Sequence, residues 1–248
     1  MTEILDSPWK ILVFSSLLGY LSGSLSFARI ITFVKTRSGK VTPINQPIPG
    51  TDQSFESDSI SGTVISQNLG KRFGCLTSLL DMVKVALPTF LVHYYFPGEP
   101  YYLLAAAAGV LGHIYPLYHR FKGGRGESPM IGAMAIINWY GIFIANAASV
   151  LLGYITGSVL VFRYGWYVLM IFWYWILFND IYHVGFMLLA NFLFWFSMRK
   201  DLATFAKLKE EKGIDISEEE VSEFLLMGRA PGRFLDRYGL PAILKKKN

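Results

Sequence analysis

A short run of glycines and cations, at residues 121–129, has the residue types best suited to binding an anion. Its sequence is F-K-G-G-R-G-E-S-P. Glycines allow tight or left-handed backbone conformations that turn N–H groups toward a ligand, and Lys122 and Arg125 place positive charge beside that backbone. Ser128 and Pro129 are typical of a helix N-cap and a first helical position, where anions also bind. The run predicts a phosphate site, although a basic turn that only orients a membrane protein would show the same spacing.

Other ionisable residues lie within apolar sequence. Asp81 and Lys84 are three residues apart, so on a helix they share a face and can pair. Such groups usually face a bundle interior or a wet cavity, and the pair is either functional or purely structural. His113 fits a packed, hydrogen-bonded histidine, and His119 lies nearer the glycine-rich run. No cofactor or metal site is predicted, because the histidines lack nearby carboxylates and Cys75 is the only cysteine.

The composition is that of a membrane protein. Of 248 residues, 52% are hydrophobic and 17% charged, whereas charged residues make up about 25% of a typical soluble domain. Apolar runs near twenty residues long recur, and such runs are candidates for transmembrane helices. We predict an all-α, polytopic membrane bundle of about seven helices. The formal charge of +5 fits inner-leaflet orientation better than nucleic-acid binding, so no nucleic-acid partner is expected.

Hydropathy and helix length divide the chain into spans. Residues 130–162 are too long for one helix across a core of ~30 Å at ~1.5 Å per residue, so we place a break near Gly153. The first span carries Gly19 and Gly23, small residues that let helices approach closely. The predicted spans are residues 11–34, 75–96, 101–118, 130–150, 151–162, 164–178 and 182–198.

The distribution of basic residues predicts the orientation. With the N-terminus outside, Lys and Arg fall in the connections 35–73 and 119–128, at Arg163 and in the tail from 199, whereas the opposite turns contain none. The glycine-rich run then lies on the cytoplasmic face. We predict a membrane domain over residues 1–205, whose 35–73 connection begins as irregular loop, and a soluble tail over residues 206–248.

That tail contains a helix start signal. Ser217 and Glu220 have the spacing of a capping box, in which the two side chains satisfy each other's backbone N–H groups. We expect a short helix after Ser217.

Three motifs together resemble one known family. Residues 112–126 contain G-H-I-Y-P and F-K-G-G-R-G, similar to the family pattern G-H-x-F-P followed by F-K-G-G-K-G. Residues 69–84 contain L-G-K-R and L-L-D-M-V-K, and residues 23–27 read G-S-L-S-F. In order and spacing these resemble the acyl-phosphate-dependent glycerol-3-phosphate acyltransferases of bacteria (PlsY type), over residues 11 to about 210, with this chain a diverged member.

The resemblance implies a function. Members of this family transfer an acyl chain from acyl phosphate to glycerol 3-phosphate, giving lysophosphatidate for phospholipid synthesis. It implies a multi-pass protein of the plasma membrane with its site on the cytoplasmic face, acting on these two small molecules and in contact with membrane lipid; it indicates no protein partner. In catalysis it assigns roles to Ser57, Thr63 and Lys122. In phosphate or substrate binding it assigns Lys122, Gly123, Gly124, Arg125, Gly126 and Ser128.

The chain departs from the family at several positions. A loop that reads G-S-G-N-x-G-A-T-N in the family is E-S-D-S-I-S-G-T-V at residues 56–64, so both asparagines are absent. The family's C-terminal H-R-x-N motif is M-R-K-D here, which puts Met198 and Asp201 at its histidine and asparagine positions. Methionine cannot donate a hydrogen bond or move a proton.

These departures leave alternatives to the acyltransferase. One is a catalytically degenerate member that binds a phospholipid or a phosphorylated metabolite, and another is an acyltransferase with a different acceptor. A transporter would suit the Asp81–Lys84 pair, but the chain lacks the internal repeats expected of that class.

Overall fold

The computed structural model describes residues 7–47, 54–57, 59–212, 217–225 and 227–247. Over these residues the chain is mainly helical. The helices are α1 (Pro8–Gly23), α2 (Phe27–Thr36), α3 (Gly62–Leu69), α4 (Lys71–Tyr95), α5 (Tyr101–Ile114), α6 (Glu127–Thr156), α7 (Val159–Phe178), α8 (Ile181–Lys212), α9 (Glu218–Phe224), α10 (Ala230–Tyr238) and α11 (Leu240–Lys247). A 3-10 turn covers Leu117–His119, and two short strands, β1 (Ile44–Pro47) and β2 (Ser54–Ser57), pair antiparallel.

The predicted class, a helical protein with several membrane spans, is confirmed. Among the described residues, five segments are long and apolar enough to cross a bilayer. Helix α5 has 14 residues, fewer than the about 20 that a perpendicular crossing needs. The count of seven spans therefore stays a prediction. The connection 35–73, expected to begin as irregular loop, contains β1 in its first half.

The first predicted span is two helices rather than one. Helix α1 ends at Gly23 and α2 begins at Phe27. At the break, the hydroxyl of Ser24 donates to the carbonyl of Tyr20 at 2.8 Å and accepts from the N–H of Leu117 at 3.2 Å. Serine competes for backbone groups in this way, and the break leaves the carbonyl of Leu25 available to a side chain.

The break predicted near Gly153 is wrong. Helix α6 continues to Thr156, and its interior departs from helical backbone angles at Asn138, with φ −161° and ψ 80°. A Cβ on Gly153 would collide with the backbone of Phe162, so this glycine allows close packing of α6 against α7 rather than ending a helix. Arg163, assigned to a connection, lies inside α7.

The chain forms two compact units. The first contains residues 1–43, 58–139 and 178–198, and the second contains residues 44–57, 140–177 and 199–248. The predicted domain boundary after residue 205 falls within α8, which runs on to Lys212.

Small residues bring the helices of the first unit close together, as predicted for Gly19 and Gly23. A Cβ on Gly19 would collide with the carbonyl of Ala105, and one on Gly23 with the carbonyl of Gly109. Helices α1 and α5 therefore pack backbone to backbone, and this close approach positions the C-terminal end of α5, against which the glycine-rich run packs.

In the second unit the tail helices pack against the turn between α6 and α7. The Glu218 carboxylate accepts from the N–H of Val159 at 2.6 Å, and Pro241 lies against Gly157. The predicted capping box of Ser217 and Glu220 is confirmed.

Candidate functional site

The glycine-rich run is held against the end of α5. The N–H of Gly124 donates to the carbonyl of His113 at 3.1 Å, and the N–H of Ile60 donates to the carbonyl of Gly123 at 3.1 Å. A Cβ on Gly123 would collide with the carbonyl of His113, and one on Gly124 with its imidazole. Both glycines are therefore required by close packing, which fixes the path of the loop.

The turn that leads into the loop has left-handed backbone at two consecutive residues other than glycine, Arg120 with φ 53° and Phe121 with φ 59°. Three of the loop's N–H groups are used within the protein. That of Phe121 donates to the carbonyl of Pro116 at 3.0 Å, that of Lys122 to the carbonyl of His119 at 3.1 Å, and that of Gly124 to the carbonyl of His113. The expectation of bare N–H groups is therefore wrong at these three residues. The remaining attraction for an anion must come largely from side-chain charge.

The helix after the loop begins earlier than predicted. Helix α6 starts at Glu127, and the N–H of Met130 donates to the carbonyl of Gly126 at 3.0 Å. Gly126, with φ 92°, therefore occupies the N-cap position, and Ser128 lies inside the first turn. Pro129 is tolerated there because the N–H it lacks is among those without a helical partner.

A third cation joins Lys122 and Arg125 at this loop. Arg29, in α2, donates from Nη2 to the carbonyl of Lys122 at 2.9 Å and from Nη1 to the hydroxyl of Ser26 at 3.3 Å. The sequence interpretation missed Arg29, although its place two residues after the family-like segment 23–27 was a usable signal. Several cations around one fixed loop raise the local concentration of an anionic ligand.

The pKa of His119 is affected by this electropositive environment. Partial burial, together with the positive charges of Arg29 and Lys84, lowers the pKa of His119 below its usual value. The imidazole is therefore uncharged at neutral pH and has a lone pair available to accept a proton.

Behind the loop lies a buried polar cluster of Asp81, Lys84 and His113. Lys84 Nζ lies 2.8 Å from Asp81 Oδ1 and 3.0 Å from His113 Nδ1, and it donates to the carbonyl of Leu25 at 2.6 Å. All three side chains are buried. The predicted pairing of Asp81 with Lys84 is confirmed, as is the interpretation of His113 as packed and hydrogen-bonded.

This cluster supports the loop and does not itself have room for substrate. The cavity shared by Asp81, Lys84, His113 and Gly124 has a volume of about 10 Å³, which is space for at most about one water molecule. The cluster joins the break after α1, the middle of α4 and the end of α5. It therefore fixes the floor on which the glycine-rich loop rests.

The segment before α3 also meets the loop, through Ile60. Thr63 lies in the first turn of α3 and is partly buried. It belongs to the first unit. Nearby, the hydroxyl oxygen of Ser59 is buried and has no hydrogen-bond partner among the described residues. Sequence reasoning treated Ser59 only as a lost asparagine, but a buried hydroxyl without a partner is a candidate to bind ligand. Ser57 ends β2 in the second unit, and its side chain lies outside the described residues.

Helix α8 reaches the loop at Ser197. Its hydroxyl lies 3.1 Å from the carbonyl of Arg125 and 2.7 Å from that of Phe194. The adjacent Met198 is fully buried and offers no proton. Asp201, in the second unit, is also buried.

Comparison with known proteins confirms the resemblance. The family model described as glycerol-3-phosphate acyltransferase matches residues 13–207. A glycerol-3-phosphate acyltransferase of Albidiferax ferrireducens is 34% identical over 126 residues, which cover 48% of this chain and 50% of the relative. One of Myxococcus xanthus is 32% identical over 123 residues, which cover 49% and 57%. The matched part therefore spans about half the length of these relatives.

Among solved structures, the chain is similar to PlsY (YgiH), an integral membrane glycerol 3-phosphate acyltransferase, in its glycerol 3-phosphate form. The TM-score is 0.63 at 19% identity, covering 79% of this chain and 92% of that one. The lysophosphatidic acid form of the same protein gives a TM-score of 0.63 at 18% identity. At such identity the likeness establishes the fold alone.

Proposed function

Because the chain belongs to the glycerol-3-phosphate acyltransferase family, we propose that it is a membrane enzyme that transfers an acyl chain to glycerol 3-phosphate and forms lysophosphatidate. The donor is an acyl phosphate. The protein lies in the plasma membrane with its glycine-rich loop on the cytoplasmic face, where both substrates arrive.

The observation that carries this proposal is the fixed, cationic loop. Close packing against His113 holds Gly123 and Gly124 in place. The cation Arg29 donates a hydrogen bond to the backbone carbonyl of Lys122, a second cation, in the same loop. A loop of this kind binds a phosphate group without having to reorganise, and preorganised charge of this kind is usually the largest contribution to catalysis.

The reaction is an acyl transfer. A hydroxyl oxygen of glycerol 3-phosphate attacks the carbonyl carbon of the acyl phosphate, an ester C–O bond forms, and the C–O bond to phosphate breaks. The electron pair of that bond leaves with inorganic phosphate. The cations at the loop stabilise the negative charge that develops on the departing phosphate, and Ser57, Thr63 and the hydroxyl of Ser59 position the substrates.

The proton of the attacking hydroxyl needs an acceptor. Met198, at the family's histidine position, cannot take it. We assign this role to His119, whose lowered pKa leaves it uncharged at neutral pH.

A second candidate function is supported by the burial of Met198, which is fully enclosed. In this alternative the chain retains the anion-binding loop but not the chemistry, and it binds a phospholipid or a phosphorylated metabolite. A third alternative, intermediate between the proposed enzyme and this binding protein, is an acyltransferase with a different acceptor.

The test is acyl transfer by the purified full chain in detergent. Long-chain acyl phosphate and labelled glycerol 3-phosphate are supplied, and labelled lysophosphatidate is measured for wild type, Lys122→Ala and the matched control Lys245→Ala, an exposed lysine of α11. Product that is lost with Lys122→Ala but kept with Lys245→Ala supports the enzyme. Binding of glycerol 3-phosphate without product supports the second candidate, and full activity of Lys122→Ala overturns the role of the loop.

A further inference from the structure

The first unit contains a second, much larger cavity at the other end of its helices. Its volume is about 780 Å³, within the usual range of ligand sites. It lies where α4 ends and where α5 and α8 begin, whereas the glycine-rich loop follows the opposite end of α5. The 14 residues of α5 separate the two by about 20 Å at ~1.5 Å per residue. None of the residues assigned to acyl transfer at the loop lines this cavity.

The mouth of the cavity carries a chain of hydrogen bonds. The carboxylate of Asp180 lies 2.5 Å from His183 Nδ1, and His183 Nε2 lies 2.8 Å from the hydroxyl of Tyr102. An ionised carboxylate can only accept, so Nδ1 carries the proton and Nε2 accepts from Tyr102. This arrangement holds three polar side chains in fixed positions at one end of the cavity.

The surroundings of Asp180 favour its ionised form. Burial raises its pKa, but hydrogen bonds from the backbone and side chain of His183 and from the N–H of Tyr182 outweigh that effect and lower it. The two backbone bonds, of 2.8 and 3.1 Å, also make Asp180 the N-terminal cap of α8. The carboxylate is therefore fixed by the fold as well as charged.

The lining turns apolar with depth. Leu103, Leu104 and Ala107 line it from α5, and Phe186 and Leu189 line it from α8. Leu189 lies eight residues into α8, or about 12 Å from its start at ~1.5 Å per residue. A polar mouth at the helix ends and an apolar wall along the helices match the shape of a lipid, with a headgroup at the interface and a chain beside the protein.

The charge at the mouth selects the headgroup. Glu99 and Asp180 are carboxylates, and the residues that line the cavity include neither Lys nor Arg. Tyr101 and Tyr182 also line it, and tyrosine faces attract organic cations. We propose that this cavity binds a bilayer lipid with an ammonium headgroup, the ammonium beside Glu99 and Asp180 and an acyl chain along α5 and α8.

Native mass spectrometry of the purified full chain tests this. The protein is incubated with phosphatidylethanolamine or with phosphatidylglycerol. The two lipids have identical acyl chains, and only the first has an ammonium group. We expect wild type to retain the ethanolamine lipid roughly threefold to tenfold better, the selectivity of a partly exposed charge pair with aromatic contacts.

Two variants separate headgroup from chain. The double variant Glu99→Gln with Asp180→Asn removes both charges, and asparagine still caps α8; the selectivity should fall to about one. Gly185→Leu adds a side chain at a residue that lines the cavity, where a Cβ meets nothing within 4 Å; it narrows the cavity and should reduce retention of both lipids. Glu219→Gln, in α9, is the matched control and should behave as wild type.

Each remaining outcome overturns the proposal. Equal retention of the two lipids by wild type, or preference for phosphatidylglycerol, excludes an ammonium site. Unchanged selectivity in the double variant excludes the two carboxylates, and undiminished retention by Gly185→Leu excludes this cavity. Thermal unfolding of each variant confirms that the fold is kept before its lipids are compared.

Discussion

His113 holds Gly124 twice, since its carbonyl accepts the glycine N–H at 3.1 Å and its imidazole occupies the space that a Cβ on Gly124 would fill. The same imidazole contacts Lys84 through its other nitrogen. The position of the loop is therefore tied directly to the buried ion pair of α4.

Gly124→Ala should disable the loop while leaving the helical fold intact. The added Cβ collides with the His113 imidazole and the carbonyl of Ile60, so the loop must move. We expect KM for glycerol 3-phosphate to rise at least about tenfold, since a displacement near 1 Å has large effects at a preorganised site. As a control for fold, Gly185→Ala in α8 should not lower Tm, because a Cβ there meets nothing within 4 Å. An unchanged KM for Gly124→Ala would contradict the packing argument.

Lys84→Met should destabilise the protein by about 3–5 kcal/mol, because it leaves the buried carboxylate of Asp81 without its cation. Asp81 and Lys84 are 3% and 4% exposed, so solvent cannot replace the lost partner. The double variant Asp81→Leu with Lys84→Met removes both charges and should be more stable than Lys84→Met alone. Unfolding in detergent compares wild type, the two single variants Asp81→Leu and Lys84→Met, and the double variant, and additive losses would show that the two side chains do not interact.

Local sequence was sufficient for features set by neighbouring residues. The pairing of Asp81 with Lys84 follows from helical spacing, and the capping box of Ser217 and Glu220 follows from a four-residue pattern. Both are confirmed because three-residue spacing on a helix fixes the geometry.

Features set by distant contacts were not predictable in the same way. Gly153 resembles a helix breaker in sequence. In the structure, the absence of a side chain at Gly153 lets the backbone of Phe162 pack closely against it. Arg29 reaches the carbonyl of Lys122 only because the chain breaks between α1 and α2. Ser197 meets the loop at Arg125, a contact with no local signal. Tertiary packing, rather than propensity, decides each of these.

Ser217→Ala should loosen the start of α9 by about 1 kcal/mol, the usual contribution of an N-cap side chain. The Ser217 hydroxyl accepts from the N–H of Glu220, whose carboxylate accepts in turn from the N–H of Ser217. Hydrogen exchange of the α9 amides should quicken, whereas Ser217→Asp, which keeps an acceptor at the cap, should preserve protection. Equal protection in both variants would show that packing against α10 alone holds this helix.

The protonation of His119 should report anion binding at the loop. Burial and the charges of Arg29 and Lys84 lower its pKa from 6.5, so the folded state favours the neutral imidazole. This contribution to stability is complete above about pH 6.5 and is lost as the pH falls through the lowered pKa. NMR of labelled histidine, with His119→Gln for assignment, should show this depressed value in the free protein. Inorganic phosphate should raise it by offsetting the cations. Arg29→Met should raise it without ligand, whereas Arg72→Met, at the exposed start of α4, should not. A His119 signal unaffected by phosphate would place the anion elsewhere and remove this histidine from the reaction.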